Sequence, residues 1–234
     1  MAQERKRMPQ LLIDEVMLLV DTYFQLKNIE NKIERYEHIE NLSNNMRALP
    51  FFPAEKQNPE FRSVAGMQMC LANVGFIDPC NKSKFGHGST LQRKVFEYYR
   101  GQQEVLHKLT KSIVNVAQEE FPIDYSFQDS VYGMLLPSYH LYLERKSKTV
   151  NVVKRELKMI GQSCCKLCGT DLSKLYTIGE ELLEVHIGVP LYKNNERLIV
   201  SPSDLLVVCP SCHKLAHSKL DAFEVETLEG YIIQ

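Results

Sequence analysis

Apolar residues Leu11, Leu12, Val16, Leu19, Val20, Tyr23 and Phe24 recur at helical spacing behind Pro9, a residue suited to a first helical turn. A second helical pattern follows in Ile33, Tyr36, Ile39, Leu42 and Met46. The stretch "LPFFPAEKQNP" breaks it with three prolines and reads as a loop. "FRSVAGMQMCLANVGFIDP" predicts a short helix ending near Gly75. After the polar "NKSKFGHGST", Ser89 or Thr90 is placed to cap a helix carrying Leu91, Val95, Tyr98 and Tyr99. That helix is expected to run to about residue 117, with Gly101 as its weak point. The segment "EEFPIDYSFQDSVYGMLLPSYH" is less periodic. "LERKSKTVNVVKRELKMIG" predicts one basic amphipathic helix closed by Gly161. Beyond it the period shortens: "ELLEVHIGVPL" and "DLLVVC" read as short strands, and "CHKLAHSKL" starts a helix.

The pattern predicts an α+β chain, a mainly helical domain followed by a small ββα domain. The expected boundaries are residues 1–117 for the helical domain, 118–145 for a connector and 146–234 for the C-terminal domain. The 234 residues suffice for two cores, and 44% hydrophobic with 24% charged residues is ordinary for a globular protein. The net charge of -1 announces no nucleic-acid binder, although binding faces are local. Charge is roughly +3 over residues 1–117 and roughly −4 over the rest, too small a contrast to decide anything. No stretch approaches the roughly 18–20 apolar residues of a membrane span, and no secretory signal stands out. The expected location is the cytoplasm, with no membrane partner.

Five of the seven cysteines, Cys164, Cys165, Cys168, Cys209 and Cys212, crowd the last third. In a reducing compartment, two C-x-x-C pairs read as metal ligands rather than disulfides. Cys165 and Cys168 with Cys209 and Cys212 make a four-thiolate set for a structural Zn2+, stapling elements too short to bury enough surface alone. Cys164 is out of register and reads as packing. His213 and His217, four residues apart, project from one helical face. With His186 on the first strand, three imidazoles are available for a second divalent ion. Arg145, Lys146, Lys148, Lys154, Arg155 and Lys158 are placed to meet phosphates, and a solvated helix face explains their charge equally well. Lys82, Lys84, Arg93 and Lys94 are further contacts suggested by charge alone.

The motifs "CCKLCGTDL", "IGEELLEVHIGVPL" and "SPSDLLVVCPSCHKLAH" together resemble the HNH, or ββα-metal, endonuclease family, and within it the branch of McrA-like restriction enzymes. "SYHLYLERKSKTVNVVKRELK" is similar to the basic helical lead-in of that group. The N-terminal half is more loosely similar to the helical domain often found ahead of the module, where DNA recognition is the natural role. The resemblance implies phosphodiester hydrolysis in DNA, modified or not, for restriction or phage defence. It implies a catalytic Mg2+, Mn2+, Co2+ or Ni2+ beside the structural zinc. It also implies a strand histidine as general base.

Carried over by position, His186 takes the strand metal-ligand place and Ile187 the place of the base. Asp204 takes the orienting place before the helix, and His213 and His217 the helical ligands. Two repairs stay open. Gly188 forms a bulge that moves His186 to the base position and makes Glu184 a metal ligand. Otherwise the register stands and the protein is a weak or inactive nuclease, a DNA-binding or regulatory scaffold. Cutting both strands with one site per chain would favour a homodimer.

Overall fold

The computed structural model describes residues 8–81, 86–119, 135–189, 204–218, 228 and 230–232. A mainly helical region is followed by a small ββα element, as the hydrophobic pattern predicts. The chain divides into two compact units, Met1–Leu135 and Leu136–Gln234.

In the first unit, α1 (Ile13–Leu26) packs against α2 (Lys32–Ala48), α3 (Val64–Ile77), α4 (Thr90–Tyr99) and α5 (Gln103–Ala117). It buries residues on every side, among them Val16, Met17, Leu19, Val20 and Phe24, as a central helix must. Two of its three buried carboxylates, Glu15 and Asp21, are paired. Arg62 donates to both oxygens of Glu15, at 2.5 and 2.9 Å, and to the carbonyls of Pro9 and Gln10. Pro9 therefore precedes α1 in a lead anchored by Arg62, outside the first turn expected for it. Thr110 and Gln25 donate to Asp21, tying α1 to α5.

Two expectations are corrected here. The helix expected from Ser89 to residue 117 is two helices, broken at Arg100–Gln102 around Gly101. Ser89 caps the first of them, accepting from the Gln92 N–H while Gln92 returns a bond to the Ser89 N–H. In α2 only Leu42 and Met46 of the apolar series are buried, whereas Ile33 and Tyr36 are exposed.

The basic segment is also two helices, α6 (Leu135–Lys146) and α7 (Lys148–Met159). Ser147 separates them because its hydroxyl accepts from the Val150 N–H, offering the backbone an N-cap instead of a continued helix. Gly161 does close α7, at φ 65°, where a side chain would be strained. Val150, Val153 and Leu157 of α7 pack against Val185 and Ile187 of β1 (Glu184–Ile187). Burial of this kind contributes about 1.5–3 kcal/mol for each large apolar side chain. β1 pairs antiparallel with β2 (Leu205–Val208), and α8 (Pro210–Ser218) packs on β1. Among the described residues, no helix is long and apolar enough to cross a membrane.

Candidate metal centre

Two turns bring four sulfurs together. Cys165 and Cys168 lie on a tight turn in which Gly169 has φ 70° and its N–H donates to the Cys165 carbonyl. Cys209 follows β2 directly and Cys212 sits in the first turn of α8. In each pair the backbone N–H of the second cysteine points at the sulfur of the first, at 3.5 Å. Cys168 and Cys209 sulfurs are 3.9 Å apart, and all four lie within 4.8 Å of one another. The Lys166 N–H donates to the Val207 carbonyl and fastens the first turn to β2. Burial opposes charge on Cys168, but hydrogen bonds with Thr170, Cys165 and Cys212 draw it down to about 6. Burial pushes Cys209 and Cys212 up. Cys164 is exposed and outside the four-sulfur set.

The strand register decides which side chains face the second centre. Glu184 pairs with Val208, Val185 with Val207, His186 with Leu206 and Ile187 with Leu205. The Gly188 N–H continues the ladder to the Asp204 carbonyl at 2.7 Å. The pairing is unbroken from Glu184 to Gly188, so the bulge repair is not realised. Side chains alternate across a strand. Glu184 and His186 share one face, while Val185 and Ile187 share the face packed on α7. Ile187 is 1% exposed in that apolar cluster, so nothing on it can handle a proton.

On the other face, His186 meets His213 and His217 of α8 and two residues of α6, His140 and Glu144, that the sequence reading did not select. Oε1 of Glu144 lies 3.0 Å from His140 Nε2 and 3.0 Å from His186 Nδ1, and accepts from the Ile187 N–H at 2.5 Å. Its Oε2 lies 3.0 Å from Nε2 of both His213 and His217, which are themselves 3.0 Å apart. One donor atom from each of His140, Glu144, His186 and His217 falls within 4.8 Å of the others. All five side chains are buried. Glu184, half-exposed, closes on His213 Nδ1 from outside. The missed signal was the spacing of "HLYLE": a histidine and a glutamate four apart share a helix face, just as His213 and His217 do.

The electrostatics follow from this crowding. Burial works against charge on Glu144, but hydrogen bonds from the four histidines outweigh it and hold its carboxyl well below the usual carboxylate range. Burial likewise pushes His213 down, yet its bonds to Glu144 and Glu184 raise it to about 9. Burial lowers His140, His186 and His217. Glu184 is lowered by its bond from His213, with help from the charges of Lys154 and Arg145. Imidazole nitrogens with a carboxylate fit a divalent first-row ion such as Mn2+, Co2+, Ni2+ or Zn2+, whereas Mg2+ favours an all-oxygen set. Nδ1 of His217 is buried with no hydrogen-bond partner among the described residues, so its ring is held by what its other nitrogen faces.

Asp204 stands just before β2, its carbonyl in the ladder, and is outside the grouped donor atoms. Arg145, Lys146, Lys148, Lys154, Arg155 and Lys158 are all exposed. Lys158 is bonded to Glu181 at 2.7 Å, and Lys146 lies over the Tyr142 ring. Arg93 and Lys94 are exposed on α4, while Lys82 and Lys84 lie outside the described residues. The C-terminal unit thus holds a ββα motif with a His/Glu cluster and a nearby four-cysteine cluster, both arranged to bind metal. Comparison with protein-family models, with curated proteins and with solved structures returns no match to this chain.

Proposed function

We propose that this protein is a metal-dependent DNA endonuclease of the HNH, or ββα-metal, kind, serving restriction or defence. The observation that carries the reading is the convergence of His186 from β1 with His213 and His217 from α8, beside four cysteines spaced for zinc. Cys165, Cys168, Cys209 and Cys212 would hold the structural zinc. The histidines and Glu144 would hold the working ion, which when bound supplies positive charge to a scissile phosphate and its leaving oxygen. Arg145, Lys148, Lys154 and Arg155 hold the DNA backbone, giving affinity and register rather than sequence choice. Glu184 fixes the ring of His213 through Nδ1 and so keeps Nε2 aimed into the cluster. The buried Val185 and Ile187 give β1 a dry back against α7, which keeps His186 from turning away.

A second reading has its own observation. The unbroken ladder leaves β1 with one histidine and puts Ile187 in the core, so the base implied by the family resemblance has no side chain there. On that reading the same scaffold binds DNA and metal without cutting.

Plasmid DNA, unmodified and methylated, incubated with the zinc-loaded protein and Mn2+, Co2+, Ni2+ or Mg2+ separates the two. Nicking that disappears in His186→Ala and persists in Cys164→Ala supports the nuclease. DNA retention without cleavage under every metal supports the second reading.

A further inference from the structure

We propose that the His/Glu cluster is a two-ion centre in which Glu144 bridges two first-row divalent ions. One would be held by His140 and His186, the other by His213 and His217. The inference rests on reading this cluster as a metal centre; it does not require that the centre cut DNA.

The carboxylate divides the four imidazoles into two pairs. Oε1 takes His140 Nε2 and His186 Nδ1, each at 3.0 Å. Oε2 takes His213 Nε2 and His217 Nε2, each at 3.0 Å. The second pair is also 3.0 Å apart, so Oε2 and these two nitrogens form a triangle with equal edges. Donors bound to one ion at about 2.1 Å and at right angles to one another stand about 3.0 Å apart. The triangle therefore has the dimensions of one face of an octahedron.

The Glu144 carboxylate itself occupies the middle of the four rings. An ion equidistant from all four imidazoles would have to displace it. The carboxylate is not loose: the Ile187 N–H donates to Oε1 at 2.5 Å, and the side chain is 2% exposed. With the carboxylate fixed there, each oxygen presents a separate three-donor corner. Three protein donors with remaining positions open is the usual arrangement of a working rather than a structural site. Ions paired this way in hydrolytic sites lie about 3.5–4 Å apart, a spacing a bridging carboxylate spans.

The two corners have parallel origins. His140 and Glu144 are four apart on α6, and His213 and His217 are four apart on α8. β1 supplies His186 to the first corner, and Glu184 backs His213 in the second. Nothing in the C-x-x-C or strand–helix motifs calls for α6, so its two donors need an account of their own, and the bridge gives one.

The experiment is a metal count on the full chain. Protein purified with zinc in the four-cysteine site is titrated with Mn2+, desalted and analysed by elemental mass spectrometry and electron paramagnetic resonance. About three ions per chain are expected, one zinc and two manganese. The resonance at saturation should be the broadened signal of an exchange-coupled pair. His140→Ala should retain one manganese and show the isolated six-line signal, with zinc content and circular dichroism unchanged. One manganese per wild-type chain, or an uncoupled six-line signal at saturation, overturns the proposal whatever the variants do. Nicking with a single bound manganese would overturn the two-ion centre and leave the nuclease reading standing. Two coupled ions without nicking would do the reverse.

Discussion

The backbone N–H of Ile187 donates to Oε1 of Glu144 at 2.5 Å, across 43 residues of chain. Ile187 thus contributes its side chain to the core and its amide to the His/Glu cluster. Glu144 joins α6 to β1 as well as joining the histidines to one another. Removing it leaves a buried amide without an acceptor and takes from His213, the one imidazole raised to about 9, one of its two carboxylates. Glu144→Ala should destabilise the C-terminal unit by about 3–5 kcal/mol. Urea unfolding of the zinc-loaded protein with no other metal added checks this; a loss below about 1 kcal/mol would mean that the pairing is worth no more than a surface one.

The face assignment of β1 can be tested at the same residue. Ile187→His would bury a polar ring against Val150 and Leu157 and cost about 1–3 kcal/mol without adding any cleavage. Ile187→Val should cost only about 0.5–1.5 kcal/mol. A gain of plasmid nicking in Ile187→His would show that position 187 reaches the metal cluster.

Zinc uptake should release protons. Cys209 and Cys212 are pushed up by burial, so they hold protons at neutral pH, yet only thiolates ligate. Affinity for zinc should therefore fall as the pH falls, and a pH indicator in weak buffer should register acid on zinc addition at pH 7. Cys165→Ser should lose the zinc and the near-ultraviolet dichroism of the C-terminal unit together. Zinc binding without proton release would contradict the thiolate assignment.

In the first unit, Asp14 is fully buried, and burial raises its carboxyl well above 3.8 even though Leu135 N–H donates to it. The folded state therefore holds this proton more tightly than the unfolded chain. Its contribution to stability is greatest below the unfolded value and declines as pH rises through the raised folded value. Asp14→Asn should match the wild type in acid and exceed it at pH 7. Chemical denaturation at a series of pH values gives that difference directly; parallel curves would remove Asp14 as the cause.

Phosphate contact along α7 should show in salt dependence. Alanine at Lys148, Lys154 or Arg155 should weaken DNA binding evenly across sequences and lower the slope of log affinity against log salt by about 1 each. Lys158→Ala should do less, because Glu181 already engages that ammonium. Fluorescence anisotropy over a salt series checks it, and equal effects at all four positions would argue against a localised track.

Much of the C-terminal unit is legible because its chemistry is local. Cys165 and Cys168, Cys209 and Cys212, and His213 and His217 each announce a turn or helix face by spacing alone. The strand alternation likewise settles Ile187 once its pairing is known. What stayed hidden depends on contacts over distance. The side chains of His140 and Glu144 look like part of a basic helical lead-in until β1 and α8 are folded against them. Ser147 was hidden for a different reason: the amphipathic pattern runs straight through it, while its hydroxyl caps a new helix. In α2, periodicity predicted the helix but could not tell that Ile33 and Tyr36 face solvent.

The two centres share α8, a helix of nine residues, or two and a half turns. So short a helix has little hold on its own rotation about its axis. Cys212 and His213 are neighbours on it and point about a quarter-turn apart. Thiolate ligation at Cys209 and Cys212 would therefore work as a clocking pin, setting the angle at which His213 and His217 are presented. An oxidant that strips the sulfurs would leave every histidine chemically intact and still turn them off target.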